Sequence, residues 1–245
     1  MLSSPSVSAY GFDLGKVAPL ALVVGDPQRA TLAAGLLQSP ELLWDVREYR
    51  AYTGTLVGKE ITVCSHGVGA PGAALVLTDL FRAGVRTIIR AGTCGSLSPQ
   101  INVGALVIAT AAIREDGASA QLLPAEFPAV ANYEVTNALQ CSAHEFGEDQ
   151  TCMGIVWSSA LYYPPSFMNS NREIWCQCGA LVSEMEMAVL FTLAAIHGVR
   201  AGGILAVEAE SQVPYTDSLA SESQKIEQNR LRMLQIALHT LVHLS

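Results

Sequence analysis

The stretch "SEMEMAVL" (183–190) sets two glutamates, Glu184 and Glu186, among methionines and aliphatics in a chain with only 15% charged residues. On a strand or a helix, residues two apart face different directions, so the pair does not read as an acid and base working together. The structural alternative is that one of them caps or begins the helix implied by "AVLFTLAAI", since acidic groups are favoured in a first turn. "RAGTCGS" (90–96) offers a second kind of chemistry. Arg90 ends a β-branched run, Gly92 permits close backbone approach and Thr93 brings a hydroxyl. With nearby backbone N–H groups such a glycine-rich turn can cradle a small oxyanion. It lacks the Lys-Ser or Lys-Thr of a Walker loop. "GDPQR" (25–29) makes a tight turn with Arg29 just beyond it, and "VEAES" (207–211) places Glu208 and Glu210 after an apolar run.

The elements that must position these residues alternate along the chain. Apolar or β-branched runs at 19–24, 85–90, 105–113, 152–159 and 201–207 read as strands, and "AYTGTLVGKEITVCSHG" as a hairpin turning at Gly58-Lys59. Helical spacing follows "GDPQR", runs from near Pro71 to Gly84, and recurs at 132–147 and 186–198. A long amphipathic helix over 221–244 closes the chain, its charges from Lys225 to Arg232 read as a solvated face. This order predicts one α/β domain over 1–245, a mixed sheet covered by helices on both sides. In such folds ligands gather at the carboxyl ends of strands, where "GDPQR", "RAGTCGS" and "VEAES" all fall.

Half of the 245 residues are hydrophobic, enough for a sizeable core, and the formal charge of −8 argues against a nucleic-acid groove or an anionic membrane surface. No apolar run approaches the roughly 18 residues of a membrane span, and "MLSSPSVSAYGF" lacks the order of a signal peptide, so a cytoplasmic protein is expected. The six cysteines match no zinc spacing; they are expected to be reduced, with Cys64 and Cys94 in apolar surroundings, and no metal is expected. His66, His144, His197, His239 and His243 gain no role from spacing.

Taken in order, "LALVVGDPQR", "VREY", "SHGVGAPG", "IIRAGTCGSL", "REDGAS", "EFPAVANYEV", "SSALYYP", "SEMEMA" and "GGILAV" resemble the nucleoside phosphorylases of the type that includes uridine phosphorylase and hexameric purine nucleoside phosphorylase. The spacing from "YYP" to "EME" is most similar to the purine enzymes of malaria-type parasites. The resemblance implies a mixed, partly barrel-like α/β fold assembled as dimers or trimers of dimers. It implies a phosphate site at Gly25, Arg29, Arg90 and Thr93, with Arg47 reaching in from a neighbouring subunit. It also implies Glu186 on the ribose hydroxyls, Met185 under the sugar beside Glu184, and Tyr162 with the Cys94-Gly95 backbone near the base. Phosphate is then a co-substrate and no cofactor is needed. Phosphorolysis builds positive charge on the ribosyl ring, which an anion beneath it and a carboxylate on its hydroxyls would both stabilise.

Several positions depart from the family pattern. Ser166 and Met168 stand where bacterial uridine phosphorylases read uracil with Gln and Arg; Glu208 stands where the purine enzymes place an Asp that protonates N7; Ala160 replaces an Asp; and Tyr10 lies near the place of a histidine on the ribose 5′ side. A purine nucleoside is the leading substrate, with uridine second. A hydrolase needs no phosphate arginines, and a binding protein without turnover is the alternative outside enzymology.

Overall fold

The computed structural model describes residues 8, 10–148, 151–165, 167, 170–209 and 223–244. Ser166, Met168 and Glu210 lie outside these. A 3₁₀ turn at Leu14–Lys16 leads into β1 (Leu20–Val24), α1 (Pro27–Ala34), β2 (Gln38–Val46), β3 (Tyr49–Leu56), β4 (Lys59–Ser65), α2 (Ala70–Ala83), β5 (Thr87–Ser96) and β6 (Leu106–Glu115). Then follow α3 (Ser119–Leu122), β7 (Ala129–Val130), α4 (Tyr133–Glu145), β8 (Cys152–Ser159), α5 (Arg172–Gln177), β9 (Val182–Glu184), α6 (Met187–His197), β10 (Arg200–Ala209) and α7 (Ser223–His243).

Most of these boundaries follow local chemistry. Asp26 caps α1 by accepting the Gln28 N–H at 2.6 Å, and Pro27 supplies the fixed φ of a first helical residue. Gly84, at φ 105°, ends α2 in the left-handed conformation glycine adopts without a Cβ clash. The hairpin turns one residue earlier than its sequence implies, at Val57 (φ 50°) and Gly58 (φ 73°), because a two-residue turn needs positive φ at both central positions.

The strands form one mixed sheet. Four of them run parallel as neighbours, in the order β4-β1-β5-β10, and β3 and β2 extend the β4 edge antiparallel. On the other side β10 pairs β6, β6 pairs β8, β8 pairs β9 and β9 returns to β5, so these five strands close into a partial barrel. Helices flank it on both sides. Ala21 and Val23 of β1 join a core built with α2 and α6, while Leu20, Leu22 and Val24 join one built with α1, α4 and α7. That is why β1 reads as an unbroken apolar run. α6 is apolar all round and buried from Met187 to Ala194, as an interior helix must be. Cys64 and Cys94 are buried as expected. Among the described residues no helix is long and apolar enough to cross a membrane.

Two expectations change. "RAGTCGS" is not a turn: β5 continues through Ser96, with Ala206 opposite Thr93 and Ser183 opposite Gly95. Its backbone pairs with β10 from Arg90 to Gly95, and on the other side with β1 at Arg90 and with β9 at Gly95 and Ser96. The face of α7 from Lys225 to Arg232 is not wholly solvated either, since Ile226 is buried and Asn229 nearly so, with its side chain donating to the Ala105 carbonyl at 3.3 Å.

Candidate active site

The parallel strands deliver their carboxyl ends to one edge of the sheet: Gly25 after β1, His66 after β4, the second half of β5, and Glu208 near the end of β10. The centre of this edge is Arg90, only 4% exposed. Its Nη2 donates to Glu186 Oε2, its Nε donates to His66 Nε2 at 3.2 Å, and its Nη1 stands 3.5 Å from Glu184 Oε2. Nη1 is buried and has no hydrogen-bond acceptor among the described residues. The guanidinium lies against Gly92, where a Cβ would meet Nη1 at 2.2 Å, so only glycine leaves room for it.

Glu184 and Glu186 thus converge on one arginine, contrary to the divergence implied by their spacing. The chain changes from strand to helix between them, and neither periodicity applies across that junction. Their surroundings differ. Glu184 Oε2 accepts the N–H groups of Glu186 at 2.7 Å and Met187 at 2.8 Å, closing the start of α6, and its Oε1 accepts from the Ser158 hydroxyl. Ser158 in turn accepts the Ala188 N–H at 2.9 Å. Glu186 Oε1 accepts the N–H of Gly69 at 2.5 Å, a contact that depends on the backbone turning there at φ 90°. Burial, reinforced by the charge of Glu186, raises the Glu184 carboxyl despite Arg90. Burial works the same way on Glu186, but Arg90 and the Gly69 N–H outweigh it and hold that carboxyl below its ordinary value.

His66 is completely buried; burial and the neighbouring Arg90 push its imidazole down to about 4. It is therefore neutral, with Nδ1–H donating to the Gly67 carbonyl at 2.8 Å and Nε2 free to accept from Arg90.

Glu208 occupies a β-bulge, the unpaired residue between the Val207–Cys94 and Ala209–Gly95 pairs. Its carboxylate is 4% exposed as a residue and takes a two-pronged contact from Arg230 of α7, Nε to Oε1 at 2.5 Å and Nη2 to Oε2 at 2.8 Å. Arg29 is half-buried nearby. Burial lowers its pKa, Glu208 and Asp26 oppose that shift, and Arg230 and Arg90 add to it. Cys94 feels both acidic groups: burial, then the charges of Glu184 and Glu208, push its thiol well above the ordinary range.

The structure therefore gathers Arg29, Arg90, Cys94, Gly95, Glu184, Glu186 and Glu208 at one edge. Gly25 borders it, its Cα so placed that a Cβ would lie 3.7 Å from the Gly67 carbonyl. Thr93 and Met185 are both partly exposed along the same segments. Arg47 and Tyr10 make none of these contacts and pack together, the exposed Arg47 lying 5.5 Å over the Tyr10 ring from the tip of the β2–β3 hairpin. Tyr162 is exposed beyond β8 and meets Tyr163 edge-on at 4.7 Å. Sequence reasoning missed His66, Gly69, Ser158 and Arg230. Arg230 carried a signal: it falls on the buried stripe Ile226, Met233, Leu234, Ala237 of α7, where a charge needs a partner.

A buried guanidinium with a spare donor suits an oxyanion, and a depressed carboxylate beside it suits vicinal hydroxyls. Comparison with known proteins agrees with that chemistry. Residues 19–242 match the Phosphorylase superfamily. The chain is 36% identical over 217 residues to uridine phosphorylase of Escherichia coli (strain K12), covering 82% of this chain and 85% of the relative. It is 39% identical over 191 residues to purine nucleoside phosphorylase of Plasmodium vivax, covering 78% of each. The crystal structure of purine nucleoside phosphorylase from Toxoplasma gondii in complex with immucillin-H superposes with a TM-score of 0.92 at 30% identity, covering 100% of this chain and 98% of that one. A match across nearly the whole fold, with uridine and purine enzymes alike, means that this chain belongs to the phosphorylase superfamily and is a nucleoside phosphorylase.

Proposed function

We propose that the chain cleaves a purine nucleoside with inorganic phosphate, releasing the free base and ribose 1-phosphate. The observation that carries this reading is Arg90 Nη1, a buried donor 3.5 Å from the Glu184 carboxylate and with no hydrogen-bond acceptor among the described residues, while Nε and Nη2 each have one. Phosphate would take that donor together with Arg29, the Thr93 hydroxyl and the Gly25 turn. Glu186, already ionised beside Arg90, would accept from the ribose hydroxyls, with Met185 beneath the sugar. As the glycosidic bond lengthens, the ring gains positive charge between the carboxylate and the phosphate, and both attractions strengthen. The contact between Glu186 and Arg90, which holds both side chains in place without a ligand, supports that alignment.

Glu208 would assist departure of the base from beside the Cys94-Gly95 backbone and Tyr162, by giving a proton or a hydrogen bond to purine N7. For that, Arg230 must release at least one carboxylate oxygen, because both are taken, and that oxygen must first take up a proton from solvent. The same fork favours a second reading, uridine, whose base leaves without an N7 to protonate. Arg47, with Tyr10 against it, would complete the site of a neighbouring subunit in a dimer or trimer of dimers, in a cytoplasmic setting that suits six free cysteines. Base release from inosine and from uridine, each with and without phosphate, tests the reading. Phosphate-dependent cleavage of inosine in preference to uridine is expected. Cleavage of uridine alone would establish the second reading, and release without phosphate would refute both.

A further inference from the structure

The last turns of α4 and α7 lie side by side, away from the Arg90 cluster, and carry a set of side chains that nucleoside cleavage does not use. His239 and His243 are four residues apart and so share one face of α7. Their Nε2 atoms lie 3.2 Å apart, with ring centroids 4.4 Å apart and planes inclined by 64°. Glu145 closes α4 opposite them, its Oε2 3.6 Å from His239 Nδ1. One ligating atom from each of the three residues lies within 4.8 Å of the other two.

We propose that this trio binds one divalent transition-metal ion of the imidazole-preferring class, Zn(II) being the representative, and so clasps the end of α4 to the end of α7. Three observations favour it. Two metal–nitrogen bonds of about 2.0–2.1 Å opened to a tetrahedral angle separate their nitrogens by roughly 3.3 Å, so the imidazoles already stand at the spacing of two ligands to one ion. His239 is held in the matching orientation: Ser142 Oγ lies 3.4 Å from its Nδ1, and Phe146 packs edge-on at 5.3 Å, leaving Nε2 for the ion. Glu145 supplies negative charge: its Oε2 lies 3.6 Å from His239 Nδ1, and no lysine or arginine pairs with it among the described residues. Two imidazoles and a carboxylate form a donor set for Zn(II), Ni(II) or Cu(II), with water completing the coordination. The ion would brace the helix that also brings Arg230 to Glu208.

Zinc chloride titrated into the untagged full-length protein, followed by calorimetry in a non-chelating buffer, tests the site. One ion per chain is expected. His243→Ala should weaken binding by at least about 100-fold, beyond the 10–100-fold that losing an outer-shell contact costs, and Glu145→Gln should weaken it by about tenfold. Because His243 and Glu145 are exposed, both variants should keep the wild-type circular dichroism spectrum. Zinc should raise the melting temperature of the wild type and leave that of His243→Ala unchanged. Cys141, an exposed thiol on the same helix α4, provides the control: Cys141→Ser should bind as the wild type does. Undiminished binding by His243→Ala, binding lost in Cys141→Ser, or no binding to the wild type at millimolar zinc would each overturn the proposal.

Discussion

Glu184 and Glu186 differ in what their oxygens hold, and that difference predicts different phenotypes. Glu184 accepts from two backbone N–H groups and a hydroxyl, and stands 3.5 Å from Arg90 Nη1 without a hydrogen bond to it. Glu186 holds one N–H and the guanidinium of Arg90, the partner that a ligand would share. Glu186→Gln should therefore lower kcat more than it raises KM, because the lost charge matters most when ring charge develops. Glu184→Gln should chiefly lower stability, by about 1–3 kcal/mol, as a buried charged acceptor is lost. Steady-state kinetics and urea melts on both variants separate the two, and equal kinetic losses would contradict this division. His66 makes a prediction about pH. Its folded value of about 4 lies below an unfolded value of about 6.5, so its contribution to stability is complete above pH ~6.5 and lost as pH falls toward 4. Glu186, also depressed, acts with the same sign at lower pH, its contribution present above about 4.3 and lost on further acidification. Acidification from neutrality to about pH 4 should cost on the order of 3 kcal/mol through His66 alone. His66→Gln should flatten that loss; urea midpoints at neutral and mildly acidic pH would show it, and identical slopes in both proteins would refute it.

At the scale of elements, the bulge in β10 and the inward stripe of α7 meet in the Glu208–Arg230 fork. A bulge re-aims one side chain without breaking the strand, and here it directs Glu208 to the helix packed behind the sheet. If Glu208 also serves the leaving base, Glu208→Gln should cut inosine cleavage by about 10²–10⁴-fold and uridine cleavage far less. Arg230→Met should destabilise the protein, because it strands a buried carboxylate. The double variant should then lose less stability than the sum of the two single variants, since the residues are in direct contact. A cycle that closes additively would mean the fork contributes nothing to coupling strand and helix. The same scale explains the fate of "RAGTCGS". Its glycines suggest a turn when read alone, but β10 and β9 offer ladder partners on either side, and pairing extends the strand through Ser96.

For the molecule as a whole, the placement of Arg47 matters most. It is exposed at a hairpin tip, held at φ 57°, stacked over Tyr10 and absent from the Arg90–Glu186 contacts. If Arg47 serves a phosphate site, as the proposed function has it, that site is expected to belong to another copy of the chain. Mixing Arg47→Ala with Glu186→Ala subunits should then restore part of the activity that each lacks alone, through sites assembled from one intact half of each. Activity assays on the refolded mixture, with sedimentation at assay concentration, would check it. A fully active monomer would end the idea.

The elements and their order were legible in the sequence because their causes are local. Apolar runs bounded by Gly and Pro, the Asp26-Pro27 cap and the glycine stop at Gly84 act within a few residues of themselves. The residues of the site were legible as types, and the motif order in which they stand placed them in a family. Their partnerships were not. Which side chain meets Arg90 depends on how β4, β5 and the β9–α6 junction pack, and Arg90 is 96 positions from Glu186. The fork of Glu208 with Arg230 and the facing of His239 and His243 toward Glu145 depend on which stripe of α7 turns inward. Periodicity within one element carries no information about its neighbour across space, so only burial and packing of the whole sheet with its helices decided those contacts.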